Sequence, residues 1–148
     1  MVARVSLALL TLTLACGSIW QRRSAVTPMS VSEAYACADS VSKSLGYRPY
    51  QAKVGEGLLR TRKHVEQGTG EIFDHQPYDQ LEVNAVSAKG GRGSTLTIEA
   101  QSWVEQVSRQ GRTQVEQPSR PAVVADASTI ATVCGGSAPA PDRVPDAH

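Results

Sequence analysis

The chain has 148 residues, with 15 Lys and Arg against 14 Asp and Glu, for a formal charge of +1. That length holds one domain, and the near balance of charge argues against a protein whose main partner is nucleic acid or an anionic surface. Hydrophobic residues at 41% and charged residues at 20% describe a globular chain, while aromatics at 5% leave the core to Val, Leu, Ile and Ala.

At the start of the chain, Arg4 precedes an apolar run from Val5 to Ala15 that ends in Ala15-Cys16. The run is too short to cross a bilayer, which takes ~20 apolar residues in a helix. A charged beginning, a short apolar stretch and a small residue before the cut are the pattern of a cleaved secretory signal. The stretch Leu12-Thr13-Leu14-Ala15-Cys16, followed by Gly17-Ser18, resembles the lipobox of bacterial lipoproteins. Thr13 stands where Leu, Val or Ile is usual. The resemblance implies cleavage ahead of Cys16 and lipidation of Cys16. Gly17 in place of Asp implies, in the enterobacterial pattern, the outer membrane. Losing Arg4 with the signal would take the formal charge from +1 to zero.

The cysteines give separate support. There are 3, Cys16, Cys37 and Cys134, and an odd count in an exported protein leaves one over. Lipidation of Cys16 leaves Cys37 and Cys134 as a disulfide pair in an oxidising compartment.

Residues 16–29 have no sustained period and are expected to form a tether, with Trp20, Arg22 and Arg23 suited to a headgroup layer. Ser30-Val31-Ser32-Glu33 is a capping box. Behind it Val31, Ala34, Cys37, Ala38, Val41 and Leu45 share one helical face, and Gly46 stops the helix. Tyr47 to Val54 and Leu58 to Val65 read as short strands around a Gly55-Glu56-Gly57 turn. Residues 66–79 read as a polar loop, with a short strand at Ile72-Phe73. A hairpin follows: Leu81, Val83 and Ala85 alternate with polar residues, as do Leu96, Ile98 and Ala100, across the glycine-rich turn 89–93. The second strand can run on through Trp103, Val104 and Val107. Residues 108–117 read as a polar connection to a last helix, with Ser119 as N-cap and Pro121 in its first turn. Val123, Ala127, Ile130 and Cys134 form its apolar stripe, Gly135 ends it, and residues 136–148 are expected to be a disordered tail.

The fold expected for residues 30–135 is therefore α+β: a small two-layer domain with an antiparallel sheet of three to four strands. The N-terminal and C-terminal helices would pack on one face and bring Cys37 to Cys134. Residues 1–15 are the expected signal peptide.

Chemistry is sparsely signalled. Gly90-Gly91-Arg92-Gly93 lacks the helix and Lys-Ser/Thr of a phosphate loop, and no Cys-x-x-Cys occurs. Glu71, Asp74, His75 and Asp79, with His64, form the cluster with acid–base or ligand potential. A groove joining Trp103 to His75 would mark a ligand site. Arg60 and Arg62, two apart on a strand, share a face that an acidic polymer or lipid headgroup would suit, with Glu82 and Glu99 positioned to neutralise it. No catalytic set, metal site or cofactor is called for. The expected function is a lipid-anchored envelope protein facing the periplasm, in contact with the membrane and a protein partner but not nucleic acid, with a non-enzymatic binding or assembly role. The alternatives are a periplasmic small-ligand-binding or hydrolytic module using residues 71–79, and a freely secreted protein.

Overall fold

The computed structural model describes residues 19–66 and 75–136. The expected signal sequence, Cys16, Glu71, Asp74, the short strand expected at Ile72-Phe73 and residues 137–148 lie outside the described residues. Strand β1 (Gln21–Thr27) is followed by helix α1 (Val31–Ser44), β2 (Arg48–Lys53), a single 3-10 turn (Val54–Glu56) and β3 (Leu58–His64). Then come β4 (His75–Ser87), β5 (Ser94–Ser108), β6 (Gly111–Gln117) and α2 (Pro121–Gly135).

All pairings are antiparallel, in the order β1-β5-β4-β3-β2, with β6 also on β5. The long β5 makes this possible. Its first half pairs with β1, Thr27 opposite Ser94 through Gln21 opposite Ala100, and its second half pairs with β6 from Ser102 to Ser108. Two strands thus lie end to end along one edge. Ser119 closes the joint, its amide donating to Ile19 O at 2.9 Å and its hydroxyl lying 2.7 Å from Ala100 O.

The α+β class, the antiparallel sheet and the paired helices follow the sequence expectation, but the described sheet has six strands instead of three to four. Both additions come from segments that read as irregular. Residues 21–27, expected within the tether, form β1, so the domain begins earlier than residue 30. Residues 111–117, expected within a connection, form β6. Only Ala25 and Thr27 of β1 are buried, and no residue of β6 is. Strands held at an edge by main-chain bonds, with so little burial, leave no apolar alternation to read.

Both helices cover the same face, α2 over β1 and β5, α1 over β4 and β3. The capping box forms: Ser30 N donates to Glu33 Oε2 at 2.8 Å, and the Glu33 amide donates to Ser30 Oγ. These bonds to Ser30, side chain first, hold the Glu33 carboxyl below its ordinary pKa. The buried face of α1 is centred on Ala34, Tyr35, Ala38 and Ser42, with Val31, Cys37, Val41 and Leu45 half-buried along its flank. It is turned by about one residue from the apolar stripe in the sequence, because alanine lets the helix seat close to the sheet. The stripe of α2 is as expected, Val123, Ala127, Ile130 and Cys134 all being buried. Its N-cap is Arg120, however, because Ser119 serves the strand joint. Between the layers lie Leu59, Leu81, Val83, Leu96, Ile98 and Ala100, each fully buried.

At the seam of the helices Cys37 and Cys134 form a disulfide, with Cα atoms 5.8 Å apart and a sequence separation of 97. Close approach extends to the end of α2, where a Cβ on Gly135 would collide with Ala25 Cβ of β1.

Candidate functional site

The two faces of the sheet place the sequence-derived candidates apart. On the covered face, Asp79 of β4 is buried opposite Ser102 of β5. Its Oδ1 accepts from Ser102 Oγ at 2.7 Å and from Arg120 Nε at 3.0 Å. Arg120 Nη2 sits 2.9 Å from the same oxygen as an ion pair, without hydrogen-bond alignment. A carboxylate so engaged holds the N-terminus of α2 on the sheet and is not available as a general base. Nearby, Tyr47 Oη donates to Asp126 Oδ2 at 2.9 Å, Lys63 Nζ reaches the same oxygen at 3.2 Å, and Lys63 lies over the Tyr47 ring. Burial first, and the Asp126 hydrogen bond next, push the Tyr47 pKa well above the phenol range.

His75 opens β4, exposed, in the same face alternation as Asp79 and roughly 13 Å along the strand from it. The polar loop expected over 66–79 therefore ends earlier, since residues 75–79 belong to a strand. Trp103 points to the opposite face from His75, because its register partner is Tyr78 whereas that of His75 is Gln106. A groove joining Trp103 to His75, which would have marked a ligand site, is ruled out by their placement on opposite faces. Among the described residues no group of three or more His, Cys, Asp or Glu is placed to hold a metal.

The uncovered face carries a different population. Its side chains fall in rows across the strands. One row runs Arg22, Glu99, Glu82, Arg60, from β1 through β5 and β4 to β3. Arg22 pairs with Glu99, and Arg60 Nε donates to Glu82 Oε2 at 2.8 Å and its Nη1 to Gln51 Oε1 at 2.9 Å. Arg60 and Arg62 do share a face, but only Arg60 is neutralised as expected, by Glu82; Glu99 pairs with Arg22 instead, and neither glutamate pairs with Arg62. The next row is Gln101, Gln80, Arg62 and Arg48. Gln80 Nε2 donates to Gln101 Oε1 at 2.8 Å, Trp103 Nε1 donates to the same oxygen at 3.3 Å, and Tyr50 Oη donates to Gln80 Oε1 at 2.9 Å.

Arg62 lies between two phenol rings, its Cζ 4.1 Å from the Tyr50 centroid and 4.7 Å from that of Tyr78, and its Nε donates to Gln80 Oε1 at 3.3 Å. Tyr50 reaches the stack because β2 is irregular in register between Pro49 and Gln51. Tyr78 is 3% exposed, and its hydroxyl is buried with no hydrogen-bond partner. Burial raises its pKa, against the opposing influence of Arg62. Tyr50, Tyr78, Gln80 and Gln101 were not singled out by the sequence. Their signal was alternation of aromatic and amide residues opposite Arg62, which becomes visible only with the register known.

No protein-family model matches the chain, and no curated protein does. The crystal structure of a DUF4468 family protein from Bacteroides ovatus aligns with 66% of this chain at a TM-score of 0.41 and 12% identity. The alignment spans 59% of that chain, and so weak a likeness supports no statement about activity.

Proposed function

We propose that the protein is a small exported envelope protein, anchored by lipid on Cys16, whose domain has a binding or assembly role and not a catalytic one. The observation that carries the reading is the Cys37–Cys134 disulfide. It occupies two of the 3 cysteines and leaves Cys16, at the end of the lipobox-like stretch, as the odd one. A disulfide also suits an oxidising compartment outside the cytoplasm. The outer membrane, facing the periplasm, is the favoured location on the strength of Gly17. No helix among the described residues is long and apolar enough to cross a membrane, and an acyl anchor needs none.

Because β1 starts at Gln21, the leash is shorter than the tether 16–29 expected from sequence. Cys16 to Gln21 can span at most about 18 Å fully extended, so an anchored domain would ride close to the bilayer. The binding role is supported by the composition of the uncovered face. A packed carboxylate in Asp79, about 13 Å along the strand from an exposed His75, weighs against a hydrolytic module that uses the two together.

The test is mass spectrometry of the mature N-terminus from a bacterial host, with Cys16→Ala as control. The expected result is a diacylglyceryl-modified Cys16 and loss of membrane association in the variant. A soluble mature chain with an unmodified N-terminus would establish the freely secreted alternative.

A further inference from the structure

On the uncovered face, Arg22, Arg60 and Arg112 are each held by a glutamate, Glu99, Glu82 and Glu105 respectively. Among the described residues Arg62 is in no ion pair, and neither is Arg48, its cross-strand neighbour on β2. Like charges directly opposite one another are unfavourable in a sheet, yet the Tyr50 and Tyr78 rings hold Arg62 in place. Only its Nε is engaged, by Gln80. The planar Nη pair carries no hydrogen bond among the described residues and is oriented by the flanking rings, which is the receptor geometry for a carboxylate. Fixing it in advance lowers the ordering cost of binding. Tyr50, 45% exposed, supplies aromatic surface beside it.

We propose that this corner of the uncovered face docks an acidic protein segment, with a carboxylate of the partner seated on Arg62 and Arg48 adding attraction. Charge complementarity selects the occupant. Arg48 and Arg62 stand opposite one another in register, with no carboxylate paired to either among the described residues, so the partner is negative there. The rest of the face shows Glu82, Glu99 and Glu105 in ion pairs with arginines and Glu116 opposite Trp103. A nucleic acid or an anionic bilayer would lay charge across those glutamates, whereas a short segment with one or two carboxylates would not. The inference rests on the binding role proposed above and is independent of the lipid anchor.

The experiment is an NMR titration of the mature chain, following the Arg62 Nε–Hε resonance and the backbone amides. The probes are a short capped peptide alternating Glu and Thr, its Gln-for-Glu counterpart, inorganic phosphate and vesicles containing anionic lipid. The expected result is a saturable shift at Arg62 with the Glu peptide alone, weakened about tenfold by Arg62→Lys, which keeps the charge but loses the fork. Arg48→Gln, on an exposed side chain, should weaken it about threefold and covers the case in which the Arg62 variant misfolds. Absence of a saturable shift overturns the proposal, as does equal binding of the Gln peptide, of phosphate or of vesicles. An envelope partner that binds Arg62→Lys undiminished would leave the binding role standing and remove this face from it.

Discussion

The two faces of the sheet are built from different chemistry on the same strands. Toward the helices, β4 and β5 present Leu81, Val83, Ala85, Leu96, Ile98 and Ala100, all fully or nearly fully buried. Away from them, the same strands present Gln80, Glu82, Glu99, Gln101 and Trp103, joined laterally by hydrogen bonds and ion pairs. Aromatic residues are scarce in the chain, yet Tyr50, Tyr78 and Trp103 belong to the uncovered face while the covered face is packed largely with aliphatic side chains. Burial of aliphatic area stabilises the fold at about 25 cal/mol per Å², and small alanines let the helices sit close enough for a disulfide. Large rings on the other face do little for that core. They arm a surface.

The contrast can be broken most severely at the helix seam. Replacing Cys37 and Cys134 together by Ala should lower unfolding free energy by about 4 kcal/mol, since the bond closes a loop of nearly a hundred residues. Denaturant unfolding of the variant and of the reduced protein would show it, and an unchanged midpoint would remove the seam from the account of stability. A smaller loss, about 1 kcal/mol, is expected for Tyr47→Phe, which deletes one hydrogen bond to Asp126 beneath the helices. Because the folded Tyr47 pKa is raised, its contribution is complete below the ordinary phenol value of 10.0 and is lost as pH climbs above it. The alkaline fall in stability should therefore be shallower in Tyr47→Phe, and parallel pH profiles would contradict the assignment. On the uncovered face, Glu82→Gln removes the Arg60 ion pair, both partners being partly exposed. A change of no more than about 0.5 kcal/mol is expected. A cost as large as that of Tyr47→Phe would show that the uncovered face also carries stability.

How much was legible can be argued element by element. The capping box at Ser30 and Glu33 marked α1, and alternation over 81–85 and 96–100 marked the hairpin, because burial on one side imposes a period on sequence. The same rule explains the omissions. β6 buries nothing and β1 little, so neither had a period to impose, and both exist because β5 is long enough to offer its edge twice. Asp79 and His75 looked like a polar cluster because they are near in sequence. In the strand the one is buried against Arg120 and the other stands exposed at the end.

Sequence alone determined the number and parity of the cysteines, the lipobox-like stretch at Cys16, the α+β class and the pairing of Cys37 with Cys134. Each of these depends on local pattern or on counting. Tertiary structure decided the strand number, the short span from Cys16 to the domain, and the company of Arg62. Those depend on which strands lie side by side, and cross-strand register brings together Tyr50, Arg62, Tyr78 and Gln101 from positions that no local period connects.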